Sequence, residues 1–185
     1  KTDDLTSIPA YTFYNCQNLE SIHLSSSITS VGENAFYGCN NLDSIQLDED
    51  STAFCMEDGV LYNADKTEII MATNDIPEDY EIPSSVTTIG PSAFAGKTNI
   101  SSITIPSSVK TIGSKAFDGW TDSQTIILNC PLSVIMDTGA SYNTRSPGFN
   151  SKGIFTSCGA KVEVKNSTVR KSIPAYAFYN WSGLK

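Results

Sequence analysis

Histidine occurs once in the 185 residues, as His23. A Ser-His-Asp or Cys-His enzyme would depend on that one imidazole, and a zinc site of the common kinds lacks its ligands. No two cysteines stand at CxxC spacing. Cys16, Cys39, Cys55, Cys130 and Cys158 are odd in number, so at least one thiol has no partner within the chain. Positive charge is sparse: 12 Lys and Arg face 20 Asp and Glu, giving a net charge of -8 without any basic cluster. Nucleic acid is therefore excluded as a partner, because displacing counterions from phosphate needs a basic face. No apolar run approaches the roughly 18 residues of a membrane span. Residues 1–13 hold no basic stretch followed by an apolar one, so they are not a signal peptide. They read as the middle of a repeat, with a targeting segment expected further upstream.

What the chain does have is a phrase stated twice. Ile82-Pro83-Ser84-Ser85-Val86 returns as Ile105-Pro106-Ser107-Ser108-Val109, and Ala93-Phe94 returns as Ala116-Phe117, both at an offset of 23. A fixed period of this size marks a solenoid. Phe13, Phe36, Phe94, Phe117, Phe155 and Phe178 fall in one column, at spacings of 23, 58, 23, 38 and 23. Two insertions account for the long gaps, within about 48–79 and 129–153. After each anchor Phe comes LxxIxL, as in Leu19-Ile22-Leu24, Leu42-Ile45-Leu47 and Ile100-Ile103-Ile105. Alternation in a strand turns Ile22 and Leu24 inward and Ser21 and His23 outward. Hydrophobic content of 39% suffices for a continuous core.

The remaining repeated positions have structural readings. Gly32, Gly90 and Gly113 precede the Phe by four, which allows either a positive φ or a close approach between coils. Ala-Phe followed by polar residues predicts one helical or 3₁₀ turn opposite the strand. Val60-Leu61-Tyr62 and Glu68-Ile69-Ile70-Met71 predict a β-hairpin inside the first insertion. The second insertion reads as a long loop.

Residues 100–117 match, almost position for position, the LxxIxIPxSVxxIGxxAF unit of the BspA-like, or treponemal-type, leucine-rich repeats, and the chain resembles that family over nearly its whole length. The segment MEDGVLYNADKTEII is similar to an insert common in it. The resemblance implies a single leucine-rich repeat domain over 1–185. Such a fold is a right-handed superhelix with a curved parallel sheet, short 3₁₀ or helical turns on the convex side, and the inserted hairpin. It also implies a non-catalytic, secreted or cell-surface adhesion module of a host-associated organism. The partner would be a host matrix or cell-surface protein, or a glycan, with no cofactor. A structural spacer within a longer surface protein is the alternative.

Several motifs compete for chemistry. Val134 to Ala140 includes Asp137-Thr138-Gly139, which looks like an aspartic-protease loop, but that chemistry needs two carboxylates sharing a proton and the context here is a repeat array. Asp48-Glu49-Asp50 and Glu57-Asp58 lack a calcium-loop signature and read as solvated acidic faces. Cys16, Cys39 and Cys158 follow their Phe by three, a column shared with Lys97 and Trp120, which argues for packing and reduced thiols. A bridge involving Cys55 or Cys130 remains open. Binding is expected on the outward strand columns of the concave face: Ser21, Ser44, Ser102, Thr125; His23, Gln46, Thr104, Ile127, then Glu163; and the flanking Glu20, Asp43, Ser101, Gln124. Tyr62 in the hairpin, and Tyr142 and Phe149 in the second loop, are alternative anchors.

Overall fold

The computed structural model describes residues 5–130 and 158–165. It is a β-solenoid of about five turns built from parallel strands. The LxxIxL phrases form β2 (Ser21–Leu24), β4 (Ser44–Leu47), β10 (Ser102–Ile105) and β12 (Thr125–Leu128). Asp79–Glu81 forms β8 and Lys161–Val164 forms β13 in the same column. A second column holds two-residue strands: β1 (Ser7–Ile8), then β3 (Ser30–Val31), β9 (Thr88–Ile89) and β11 (Thr111–Ile112), which follow β2, β8 and β10. Registers keep the period, with Ile22 beside Ile45 and Ile103 beside Ile126. Strands this short are stable only because each coil buries the apolar face of the next.

Between the columns the anchor phenylalanines stack. Phe13 lies on Phe36 with ring centroids 5.2 Å apart, and Phe94 on Phe117 at 5.7 Å and 2°. Trp120 meets Phe117 edge-on at 5.1 Å, and its Nε1 donates to the Phe94 carbonyl at 2.8 Å. Cys39 Sγ makes the corresponding bond to the Phe13 carbonyl at 3.0 Å. At Cys39 and Trp120 the column three residues after Phe thus packs and also closes a carbonyl of the preceding coil.

The expected helical turn is not what forms there. The Ala-Phe segments are runs of separate turns, and no described residue is helical. Alternate N–H groups leave the segment instead. Those of Tyr11, Phe13 and Asn15 donate to the carbonyls of Glu33, Ala35 and Tyr37 on the next coil, at 3.3, 2.8 and 2.7 Å. The groups between them close local bonds, such as Tyr14 N–H to the Tyr11 carbonyl. Residues two before and two after the Phe carry positive φ, for example Asn34 at 54° and Gly38 at 79°. A helix would consume the donors that this inter-coil ladder uses. Gly32 and Gly113 are not among the positive-φ residues. A Cβ on Gly113 would lie 2.3 Å from Pro91 N, so close approach, not turn geometry, requires glycine.

The first insertion contains more than a hairpin. β5 (Phe54–Glu57), β6 (Val60–Asn63) and β7 (Glu68–Ala72) form an antiparallel meander. Asp58 and Gly59, at φ 47° and 72°, make the two-residue turn between the first two, as Asp-Gly favours. β7 then pairs in parallel with β9, Ile69 beside Ile89, so the meander is built into the second strand column. Val60, Leu61 and Tyr62 are all fully buried. Val60 and Tyr62 belong to the core of residues 60–160, with Ile69 and Ala72, whereas Leu61 and Met71 belong to the core of residues 8–71. A strand buried on both faces reads as a continuous apolar run, and Val-Leu-Tyr is one. The insert is therefore a septum between two half-cores.

The septum also breaks the expected single sheet. β2 and β4 form one two-stranded sheet, and β8, β10, β12 and β13 form another. The β5–β6 turn packs against the residues leading into β8: a Cβ on Gly59 would lie 2.5 Å from Ile76 N, and Thr73 N–H donates to the Gly59 carbonyl at 2.7 Å.

Candidate functional site

Pairing sets the outward residues in rows across the coils. One row runs Ser21, Ser44 and, beyond the break, Asp79, Ser102, Thr125 and Lys161. The next runs His23, Gln46, then Glu81, Thr104, Ile127 and Glu163. Glu20, Asp43 and Glu78 precede their strands and are exposed. Ser21, His23, Ser44 and Gln46 are exposed, whereas Ser102, Thr104, Thr125 and Ile127 are half-buried. The expected columns thus stand together, as two panels.

Asp79 and Glu81 were missing from the expected columns. The signal was present, since Tyr80-x-Ile82 repeats Ile103-x-Ile105. Their carboxylates make the second panel acidic. Ser102 Oγ donates to Asp79 Oδ1 at 2.6 Å, and Ser101 Oγ to Glu78 Oε1 at 2.5 Å. Gln124 departs from its column. It is buried, with Nε2 donating to the Lys97 carbonyl at 2.8 Å and Oε1 accepting from Thr121 N–H at 3.0 Å. It holds a turn and cannot meet a partner.

Tyr62 is likewise not a surface anchor. It is fully buried in the septum, and its hydroxyl bonds that of Tyr80. Burial pushes the Tyr62 and Tyr80 hydroxyls up from the ordinary tyrosine value. Tyr142, Phe149 and Asp137 lie outside the described residues.

On the first panel, His23 Nε2 lies 2.7 Å from Asp48 Oδ1, and Ser26 N–H donates to Asp48 Oδ2 at 2.9 Å. The Ser26 bond foremost, then His23, holds the Asp48 carboxyl below the usual range. A depressed carboxyl favours the fold above its unfolded value, and that contribution fades as pH falls through the folded one. Carbon-detected titration should place the Asp48 midpoint below that of a free aspartate. His23→Ala should recover only part of the shift; full recovery would deny the Ser26 bond its leading share.

None of the five thiols is bridged. Burial raises Cys130 and Cys158 to about 11, which keeps both as inert packing groups. Among the described residues no group of three His, Cys, Asp or Glu could hold a metal ion, and no helix is long and apolar enough to cross a membrane.

Short parallel strands, inter-coil turn ladders and stacked anchors together define a leucine-rich repeat solenoid. The chain belongs to the family described as BspA type Leucine rich repeat region (6 copies), which matches residues 2–78 and 75–146. It is similar in fold to a leucine-rich repeat protein from Eubacterium ventriosum ATCC 27560, at 22% identity and a TM-score of 0.59, over 87% of this chain and 40% of that one. It is also similar to the pneumococcal vaccine antigen PcpA, at 23% identity and a TM-score of 0.56, over 72% of this chain and 35% of that one. The chain therefore spans less than half the length of either structure. No curated protein matches it.

Proposed function

We propose that this chain is a non-catalytic binding module of a secreted or cell-surface protein, and that its strand face receives a protein partner through a basic segment. The carrying observation is the acidic second panel. Glu78, Asp79 and Glu81 are exposed on it, with Glu163 further along the row of Glu81 and Lys161 the basic residue at its far strand. Serine hydroxyls already hold Asp79 and Glu78, so a partner would meet carboxylates ordered in advance. Ordering before contact reduces the entropy cost of binding. Membership of the BspA-type repeat family, with a vaccine antigen among the similar folds, supports the location.

The test is immobilised extracellular-matrix proteins and glycans, probed with the wild type and with Asp79→Lys/Glu81→Lys. Reversal should lower affinity for a basic partner about tenfold or more, because like charges then face each other. Wild-type binding should also weaken as salt rises. Salt-insensitive binding, unchanged by the reversal, would move the site off this face and toward a neutral glycan. Silence across the whole panel would favour the structural-spacer reading.

A further inference from the structure

Lys97 occupies the column that Cys39 and Trp120 fill with packing groups, yet it is a lysine only 4% exposed. Lysine is rarely buried to this degree unless paired with a carboxylate. Here the hydrogen-bond partner is a neutral amide: Nζ donates to Asn74 Oδ1 at 2.9 Å. The amide is fixed at its other end. Asn74 Nδ2 donates to Asp43 Oδ1 at 3.0 Å and to the Asn40 carbonyl at 2.9 Å. Its backbone N–H donates to the Leu42 carbonyl and its carbonyl accepts from Asn99 Nδ2, both at 2.9 Å. An amine, a carboxamide and a carboxylate thus stand in line across two coils, and none of them is used by the strand-face reading beyond Asp43.

We propose that Lys97 and Asn74 join covalently, as an intramolecular isopeptide bond between Nζ and Cγ, with Asp43 as the proton carrier. The neutral amine adds to Cγ, and the carbonyl π pair moves onto Oδ1. A proton passes from Nζ by way of the Asp43 carboxylate to Nδ2. The oxygen pair then reforms the carbonyl, the Cγ–Nδ2 bond breaks, and ammonia leaves. One C–N bond replaces another, so the step needs no oxidant, reductant or cofactor.

The surroundings favour each part. Burial lowers the Lys97 ammonium to about 8, so a substantial fraction is the free nucleophile at mildly alkaline pH. Fixed alignment of reacting groups supplies much of what such a reaction otherwise lacks. The leaving nitrogen, Asn74 Nδ2, faces the exposed Asp43, so ammonia departs on the solvent side. The bond would staple the coil that carries β8, β9 and Phe94, at the place where the septum interrupts the sheet.

The intact mass of the purified wild-type chain decides the matter and needs no variant to fold. The expected mass is lower than that of the sequence by one ammonia. Lys97→Arg and Asn74→Ala should each return to the full mass of their own sequences. Cleavage after Glu78 and Glu81 should leave the fragments bearing Asn74 and Lys97 joined, and trypsin should fail to cut after Lys97. A full wild-type mass after prolonged incubation near pH 9 would overturn the proposal. So would an ammonia loss confined to an unjoined Asn74-Asp75 peptide, which is a succinimide. Asp43→Ala should slow linkage at least tenfold; an unchanged rate would remove Asp43 from the step.

Discussion

Leu61→Asp is expected to leave the chain without a cooperative fold. Leu61 is fully buried in the septum and packs with Met71 in the core of residues 8–71, while its neighbours Val60 and Tyr62 serve the other core. Even Leu61→Ala should cost about 2–5 kcal/mol, through lost transfer energy and the cavity left behind. A carboxylate buried in that apolar core costs more, because its charge loses the water that solvates it. Domains of this size are stable by only about 5–15 kcal/mol. Urea unfolding followed by circular dichroism should show no native baseline for Leu61→Asp. If the insert were an appended arm, the same variant would keep a near-wild-type midpoint.

Gly113→Val is the second large effect. The added Cβ would meet backbone at three points: Pro91 N at 2.3 Å, Gly90 C at 2.6 Å and Pro91 Cα at 2.7 Å. The coils cannot part to make room, because Gly113 N–H donates to the Ile89 carbonyl at 2.7 Å beside them. Overpacking typically costs about 1–3 kcal/mol where side chains can yield, and backbone cannot, so the upper end is the floor here. That should lower the melting temperature by about 6 °C or more. Gly119→Ala makes the contrast. Its Cβ would find only Gly96 at 3.7 Å, so φ of 82° is the whole penalty. About 1 kcal/mol is expected from strain of that kind. Equal losses at the two sites would contradict the close-approach reading of the glycine column.

The repeat was legible because one physical requirement recurs in every coil. Phe13 stacks on Phe36 and Phe94 on Phe117, and Ile45 on one side of the septum and Ile103 and Ile126 on the other must each fill the core beneath their strand, so the residues return at the same spacing. The turn side was misread for an equally physical reason. Ala-Phe with nearby polar residues suits a helical turn locally, and only the neighbouring coil reveals that Phe13 N–H is needed elsewhere. Partner demands of that sort leave little trace in a local window. Tyr62 shows the converse. An aromatic in an insertion looked like an anchor, yet Val60-Leu61-Tyr62 already carried the mark of a strand covered on both sides. The Asp58-Gly59 turn, between Phe54–Glu57 and Val60–Asn63, marks β5 as well. The strand-face rows were readable from alternation alone. Tyr80 and Ile82 rejoin the strand column by sequence, and the same alternation turns Asp79 and Glu81 outward.

Hydrogen exchange of β6 tests most directly whether the insert is the septum of one continuous solenoid. Val60, Leu61 and Tyr62 lie in a strand flanked by β5 and β7 with both faces covered. Their amides should exchange only through global unfolding, as slowly as those of Ile103 and Ile126, and with the same dependence on urea. Exchange of β6 through a local opening, at low urea and ahead of the core strands, would contradict the account.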